Sequence, residues 1–291
     1  MPNIQILTAD NPLYPPQLRE ISDPPKQLYY RGNVQLLSRQ MLGIVGPRNP
    51  SEYGLYAAST LAKELAPYFL IISGMALGID AAAHRAALEA GHPTVAVVAT
   101  GLDRVYPAAN ERLFNQICEK GLVLSEYPLG TAPLAHHFPQ RNRIVSGLSQ
   151  GVLVAEASQR SGAMITARLA MEQGREVFAV PGSIFSEQTD GVHQLIKDGA
   201  KLVHTIQDVV DEFNYLIKIP RASRNPEPKP ELNLSPDETA ILAQLGAAPL
   251  SLEDLVQRCG LSVHMVLQSL TLFEMQDVVE QLPGKLFRRK L

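Results

Sequence analysis

The stretch 69-FLIISGMALGIDAAAHRAALEAGHPTVAVVAT-100 contains the fold in miniature. An apolar run, 69-FLIIS-73, leads into a glycine-bearing loop, 73-SGMALGID-80, then a helical stretch over 79–90 and a second apolar run, 94-TVAVV-98. Both runs are continuously apolar, the pattern of strands in a sheet covered on both faces. Strand, helix and strand in one short span make a crossover between parallel strands. The unit recurs in both directions along the chain. Strands are expected at 41-MLGIV-45, 122-LVLS-125, 151-GVLVA-155 and 176-EVFAV-180, and helices over 52–66, 109–119, 141–149, 162–173 and 191–198. The alternation predicts an α/β domain over 39–219 with a doubly wound, mostly parallel, extended Rossmann-like sheet.

Proline marks the limits of this domain. Residues 1–38 carry Pro2, Pro12, Pro15, Pro16, Pro24 and Pro25 and read as an extended, irregular lead-in. A second cluster, 220-PRASRNPEPKPELNLSP-236, predicts a semi-extended linker over 220–234. Beyond it, 235–246, 251–259 and 262–274 read as three short helices, and 276-QDVVEQLPGKLFRR-289 as two strands around Pro283-Gly284. Three helices and a hairpin make a small winged helix over 235–291. The helix that would enter a DNA groove, 262-SVHMVLQSLTLFE-274, has neither Lys nor Arg. A protein-contact role is therefore expected of this module, with Arg288, Arg289 and Lys290 left for weak DNA contacts.

Composition narrows the class further. The 291 residues are 45% hydrophobic, with 26 basic and 29 acidic side chains, a formal charge of −3 and no tryptophan. That excludes a protein coated in basic residues but not a local patch. No apolar run approaches the ~20 residues of a membrane helix, and MPNIQILTADNP has neither the basic nor the apolar region of a signal peptide. Cys118 and Cys259, far apart in sequence, read as free thiols of a cytoplasmic protein.

Enzyme signatures are missing. No G-x-G-x-x-G follows the first strand of the α/β pattern, and G-x-x-x-x-G-K-[ST], G-x-S-x-G and H-E-x-x-H are absent. No metal or cofactor is expected. Asp80 and His84, spaced i and i+4, read as a cap and a polar helix contact. His136-His137 reads as part of a phosphate-facing loop.

Charge distribution says more than net charge. Pro24–Ser51, Tyr127–Ala155 and Ala157–Met171 contain no Asp or Glu. In those windows lie Lys26, Arg31, Arg39 and Arg48, then His136, His137, Arg141 and Arg143, then Arg160 and Arg168. Loops at the carboxyl ends of parallel strands are where ligands bind, so these windows sum to a positive groove. Phe138 beside Arg141 adds an aromatic face, a combination suited to single-stranded nucleic acid. Buried strands excluding acids explain part of each window, and Phe138 also reads as an ordinary buried anchor.

At these residues the sequence resembles the DprA/Smf family. The match runs through 28-LYYRGN-33, 73-SGMALGIDAAAH-84, 101-GLDRVYPAAN-110, 125-SEYPLGTAP-133, 138-FPQRNRIVSGLS-149, 161-SGAMITA-167 and 174-GREVFAVPGS-183. The resemblance implies a dimeric, non-enzymatic mediator that binds and protects incoming single-stranded DNA and loads RecA recombinase during natural transformation. The family's phosphate-contacting arginine falls on Arg48, beside Gly46, and its base-contacting aromatic on Phe138. Arg141 and Asn142 correspond to site-shaping or phosphate-facing residues, with Arg143 and His137 beside them, and Ser161 and Gly162 to a later phosphate loop. Two positions depart from the pattern: the G-[ST]-R motif reads Gly46-Pro47-Arg48, and the usual Gly-x-Asn reads Gly191-Val192-His193.

For a partner surface, Ile206, Val209, Val210, Phe213 and Ile217 share one helical stripe. It serves either a dimer or RecA contact, or packing back onto the sheet. The alternative function is a nucleotide-processing hydrolase resembling the lysine-decarboxylase-like phosphoribohydrolases, although Pro181-Gly182-Ser183-Ile184-Phe185-Ser186 does not supply that family's P-G-G-x-G-T.

Overall fold

The computed structural model describes residues 4–214, 234–246, 249–275, 278–282 and 285–289. The chain divides into two compact units, Met1–Pro220 and Arg221–Leu291. In the first, the strands are β1 (Gln5–Thr8), β2 (Gln27–Gly32), β3 (Met41–Val45), β4 (Leu70–Ser73), β5 (Thr94–Val98), β6 (Leu122–Ser125), β7 (Gly151–Val154), β8 (Glu176–Ala179) and β9 (Lys201–Leu202). Its helices are α1 (Pro16–Arg19), α2 (Glu52–Leu65), α3 (Ile79–Glu89), α4 (Glu111–Lys120), α5 (His137–Leu148), α6 (Gly162–Glu172), α7 (Asp190–Lys197) and α8 (Ile206–Val210).

The strands join in the order β1-β2-β6-β5-β4-β3-β7-β8-β9. From β6 across to β9 all neighbours are parallel, while β2 is antiparallel to both β6 and β1. The apolar runs hide a strict alternation. Met41, Leu70, Ile72, Val95, Val97, Leu122 and Leu124 pack on one face beneath α1, α5, α6 and α7. Leu42, Ile44 and Ile71 face α2, α3 and α8 on the other, and Ala96, Val98 and Val123 face α4. Each large apolar side chain so buried contributes about 1.5–3 kcal/mol.

The lead-in over 1–38 is not irregular. Its prolines from Pro12 onward lie outside the strands, with Pro16 opening α1, and the proline-free segments Gln5–Thr8 and Gln27–Gly32 pair antiparallel. Together they extend the sheet beyond β6, with Leu7 and Leu28 buried in its core.

The stripe over 206–217 packs inward. Val209, Val210 and Phe213 are almost wholly buried, Phe213 lying edge-on to Phe69 and Phe178 at 5.4 and 5.8 Å, and Ile206 packs beside them. Of the two readings, the partner surface is overturned for Val209, Val210 and Phe213, since side chains inside the chain's own core cannot reach a second protein. Ile217 lies outside the described residues, as do the linker 220–234 apart from Leu234 and the Pro283-Gly284 turn.

The second unit is a winged helix. Helices α9 (Pro236–Gln244), α10 (Leu252–Cys259) and α11 (Val263–Met275) pack around Ile241, Leu255, Val266, Leu270 and Phe273. Strands β10 (Leu250–Ser251), β11 (Val279–Leu282) and β12 (Leu286–Arg289) form an antiparallel sheet in the order β10-β12-β11. The two-residue β10, too short to leave a periodic signature, escapes the sequence pattern. Ser235 and Ser251 begin their helices with reciprocal capping boxes to Glu238 and Asp254.

Candidate nucleic-acid interface

The chain runs from β3 through β4 and β5 to β6 on one side, then returns to place β7 on the other side of β3. The loops after β3 and β7 therefore leave in opposite directions, and a crevice opens between them at the carboxyl ends of the strands. Here it is a cleft of about 680 Å3 lined by Gly46, Arg48, Tyr106, Phe138, Arg141 and Ser161, among others.

Two glycines let the Arg48 loop cross the start of α3. A Cβ on Gly46 would sit 2.4 Å from Ile79, and Gly78, at φ +74°, would drive one to 2.4 Å from the Pro47 carbonyl. That carbonyl accepts a hydrogen bond from the Ile79 amide. At the far end of the loop, Ser51 caps α2 with its hydroxyl on the Gly54 amide, and buried Glu156 accepts from the Ser51 amide at 2.8 Å. Arg48 itself is exposed and has no ion-pair partner among the described residues. Its guanidinium lies over the Phe138 ring, 5.0 Å from the centroid, close enough for cation–π attraction.

Phe138 sits in the first turn of α5, which begins at His137 instead of 141. Three residues on, Arg141 shares its helix face and is buried. It donates to the carbonyls of Gly74 and Val97 and, through Nε, to Asn142 Oδ1 at 3.1 Å. Buried Asp80 lies beside it and accepts from the Ala76 amide. Burial lowers the Arg141 pKa and raises that of Asp80, and in each the opposite charge of the other works against the shift. Arg141 thus shapes the wall by tying α5 to the ends of β4 and β5. Asn142 lines the cleft next to it.

The loop after β4 is held rigidly. Met75 is buried at φ +63°, a conformation that costs a non-glycine residue energy and persists where neighbours impose it. The neighbour is Asn110, whose amide nitrogen donates to the carbonyls of Met75 and Ala76 at 3.0 and 3.2 Å. Across the cleft, Ser161 caps the eleven-residue α6 by accepting from the Ala163 amide at 3.2 Å, with Gly162 exposed behind it. Helix dipole and free amides make this end hospitable to an anion.

Gly46, Arg48, Phe138, Arg141, Asn142, Ser161 and Gly162 therefore line one cleft. Arg143 does not. It is spent on Asp23 at 2.9 Å and Glu126 at 2.7 Å, with only 12% of its side chain exposed. Two residues beyond Arg141 on a helix, it points away from the cleft. Nor is His137 on a phosphate-facing loop: it is buried and stacks on Tyr127 with centroids 4.0 Å apart. Asp80 and His84 are not partners either. His84 Nδ1 meets Thr94 Oγ1 at 2.7 Å, and burial pushes its pKa down to about 3. His193 reaches the Gly182 carbonyl at 3.1 Å.

Sequence reasoning missed Tyr106, whose ring stands 5.7 Å from Phe138, tilted by 57°, and lines the same cleft. Only its place in a loop at the end of β5 could have suggested it. Among the described residues no cluster of His, Cys, Asp or Glu could hold a metal ion, and no helix is long and apolar enough to cross a membrane.

Fold and cleft together define a Rossmann-like protein with an arginine–aromatic site at its switch point and a winged helix appended. The chain belongs to the DprA/Smf family: residues 5–214 match the family described as DNA recombination-mediator protein A, and 225–285 the DprA winged helix domain. It is 51% identical over 202 residues to the DNA processing protein DprA of Streptococcus pneumoniae, covering 69% of this chain and 72% of that protein. It is 38% identical over 287 residues to protein Smf of Escherichia coli, covering 97% and 77%. The X-ray structure of S. pneumoniae DprA superposes with a TM-score of 0.71 at 48% identity, covering 72% of this chain and 74% of that one. DprA of Helicobacter pylori, a structure described for its single-stranded DNA binding mode, superposes with 0.66 at 34% identity, covering 72% and 96%.

Proposed function

We propose that the cleft binds single-stranded DNA, with Arg48 and the start of α6 facing phosphates and Phe138 stacking on a base. The observation that carries this reading is Arg48: an exposed arginine without a carboxylate partner among the described residues, parked over an aromatic ring at the switch point of the sheet. Neutralised backbone plus stacked base is the chemistry of single-strand recognition. The single-stranded DNA binding described for the H. pylori relative supports it.

From the family resemblance we further infer a cytoplasmic, non-enzymatic recombination mediator that protects incoming single strands and loads RecA during natural transformation. The inferred homodimer forms through a surface other than Val209, Val210 and Phe213, which are buried. The test is a gel shift of single- against double-stranded DNA at two salt concentrations, without nucleotide or metal. Preferential retention of the single strand, weakening as salt rises, is expected. No shift at low salt would remove the cleft reading, and release of free base from a nucleoside monophosphate would establish the hydrolase alternative.

A further inference from the structure

Glu156, just beyond β7, is 1% exposed and does not line the cleft. Its Oε2 accepts from the Ser51 amide at 2.8 Å, while its buried Oε1 has no hydrogen-bond partner among the described residues. A carboxylate offers about four acceptor positions, so burying one for a single amide costs stability that an apolar residue would not. The start of α2, whose dipole favours an anion, offsets part of that cost. The fit there is close: a Cβ on Gly54, in the first turn of α2, would sit 2.3 Å from Oε2. Resting on the single-strand reading of the cleft, we propose that Glu156 is a positioning residue for DNA binding. It fixes the loop that carries Arg48 so that the guanidinium is already in place for a phosphate, and it acts through its hydrogen bond and not through its charge.

The loop is a stiff bridge between two anchors. At one end the Ile79 amide donates to the Pro47 carbonyl at 3.3 Å. At the other, Glu156 holds the Ser51 amide. Arg48, Asn49 and Pro50 span the gap. Pro47 and Pro50 fix φ at two positions and bring no N–H, and each restricts the residue before it. Where the family pattern has Ser or Thr, with an amide able to tether the loop, this chain has Pro47, so the tether falls on Ser51. A stiff bridge passes a displacement of its end on to its middle. Released from Glu156, the loop would let Arg48 leave its place over the Phe138 ring. Helix α2 itself would stay: Leu61, Ala62 and Leu65 are buried in the core, and the Tyr53 hydroxyl donates to the Pro181 carbonyl at 2.6 Å. The effect is therefore local, and its scale is that of ordering one long side chain on binding, about twofold to tenfold in affinity.

The experiment measures oligo-dT affinity by fluorescence anisotropy for the full chain, Glu156→Ala, Glu156→Gln, Arg48→Ala and the double variant Arg48→Ala/Glu156→Ala. Glu156→Ala should weaken binding by about twofold to tenfold. Glu156→Gln, whose amide oxygen still accepts from Ser51, should bind closer to the wild-type chain than to Glu156→Ala. The double variant should bind no more weakly than Arg48→Ala, because Glu156 acts through that residue. An acid near a phosphate site repels the ligand, so tighter binding by both Glu156 variants would show a role of charge and overturn the proposal. Wild-type affinity in Glu156→Ala would overturn it too, as would a Gln variant as weak as the Ala variant, or a Glu156 effect undiminished in the Arg48→Ala background. Should Glu156→Ala not fold, the contact can be broken from its other side. Ser51 has φ −69°, which a proline adopts. Ser51→Pro removes the amide, and Ser51→Ala keeps it while losing the same hydroxyl. Weaker binding by Ser51→Pro than by Ser51→Ala is expected, and equal binding would count against the proposal. Wild-type affinity in Arg48→Ala would remove the cleft reading and Glu156's role together, whereas a loss there with none in Glu156→Ala would remove only the latter.

Discussion

In the sheet unit, Arg48 stands exposed at a cleft mouth with Phe138 beneath its guanidinium. In the winged helix, Arg288 is drawn onto Glu280, and α11 presents Val263, Met265, Leu267 and Leu272 to solvent with neither Lys nor Arg along its length. On the proposed reading, the cleft and not the winged helix is where the chain meets DNA. A groove-reading helix needs cations around it to engage phosphates, and α11 has none of its own. On that reading the cleft needs few, because one arginine without an ion-pair partner among the described residues, a helix start and a ring converge there. Position decides the role of a charge: within α5, Arg141 and Arg143 lie two residues apart, yet one shapes the cleft wall and the other is tied to Asp23 and Glu126.

Three substitutions and one truncation sharpen this contrast. The largest effect is expected from Phe213→Ala, which removes a ring wedged between Phe69 and Phe178. It should cost about 3–5 kcal/mol of stability in urea unfolding and leave the oligomer mass of the folded protein unchanged in light scattering. Dissociation without destabilisation would restore the partner-surface reading. Next, Phe138→Ala should weaken oligo-dT binding by about 1–3 kcal/mol, the worth of one stacked base, as read by anisotropy. Arg143→Ala should lower stability modestly while leaving oligo-dT affinity within about twofold, since its two ion pairs are partly exposed and lie away from the cleft. Removing the winged helix at residue 220 should likewise leave oligo-dT affinity within about threefold, and a larger loss would break the contrast itself.

Acid sensitivity supplies a further prediction. Unfolded, the His84 imidazole takes its proton near 6.5; folded, it does so only near 3. Between those values the unfolded chain binds the extra proton, so His84 costs stability progressively as pH falls below 6.5. His84→Gln should flatten the dependence of unfolding free energy on pH across that window, by up to ~1.4 kcal/mol per pH unit. An identical slope in the variant would contradict the burial argument.

The parallel sheet was legible because continuously apolar runs separated by helical stretches have few other solutions. The pairing of β1 with β2 was not, since proline density at 12–16 and 24–25 masks two short proline-free strands between which it merely makes the turn. The cleft was legible as a set of acid-free loops, yet sequence could not sort its arginines. Starting α5 at 141 instead of His137 leaves 136–138 in a loop. It also loses the helical frame in which Phe138 and Arg141 share a face and Arg143 does not. Tyr106 and Asn110 arrive from the loop after β5, and their meeting with Phe138 and Met75 is a matter of tertiary contact that no local pattern records.

The central claim is that Arg48, and not its neighbours in the acid-free windows, faces the phosphate. The dependence of oligo-dT affinity on salt, measured for the wild-type chain, Arg48→Ala and Arg143→Ala, tests it most directly. One lost phosphate contact should flatten the slope of log affinity against log salt by about 0.7 in Arg48→Ala and leave it unchanged in Arg143→Ala. An unaltered slope in Arg48→Ala, or an equal flattening in both, would contradict the account.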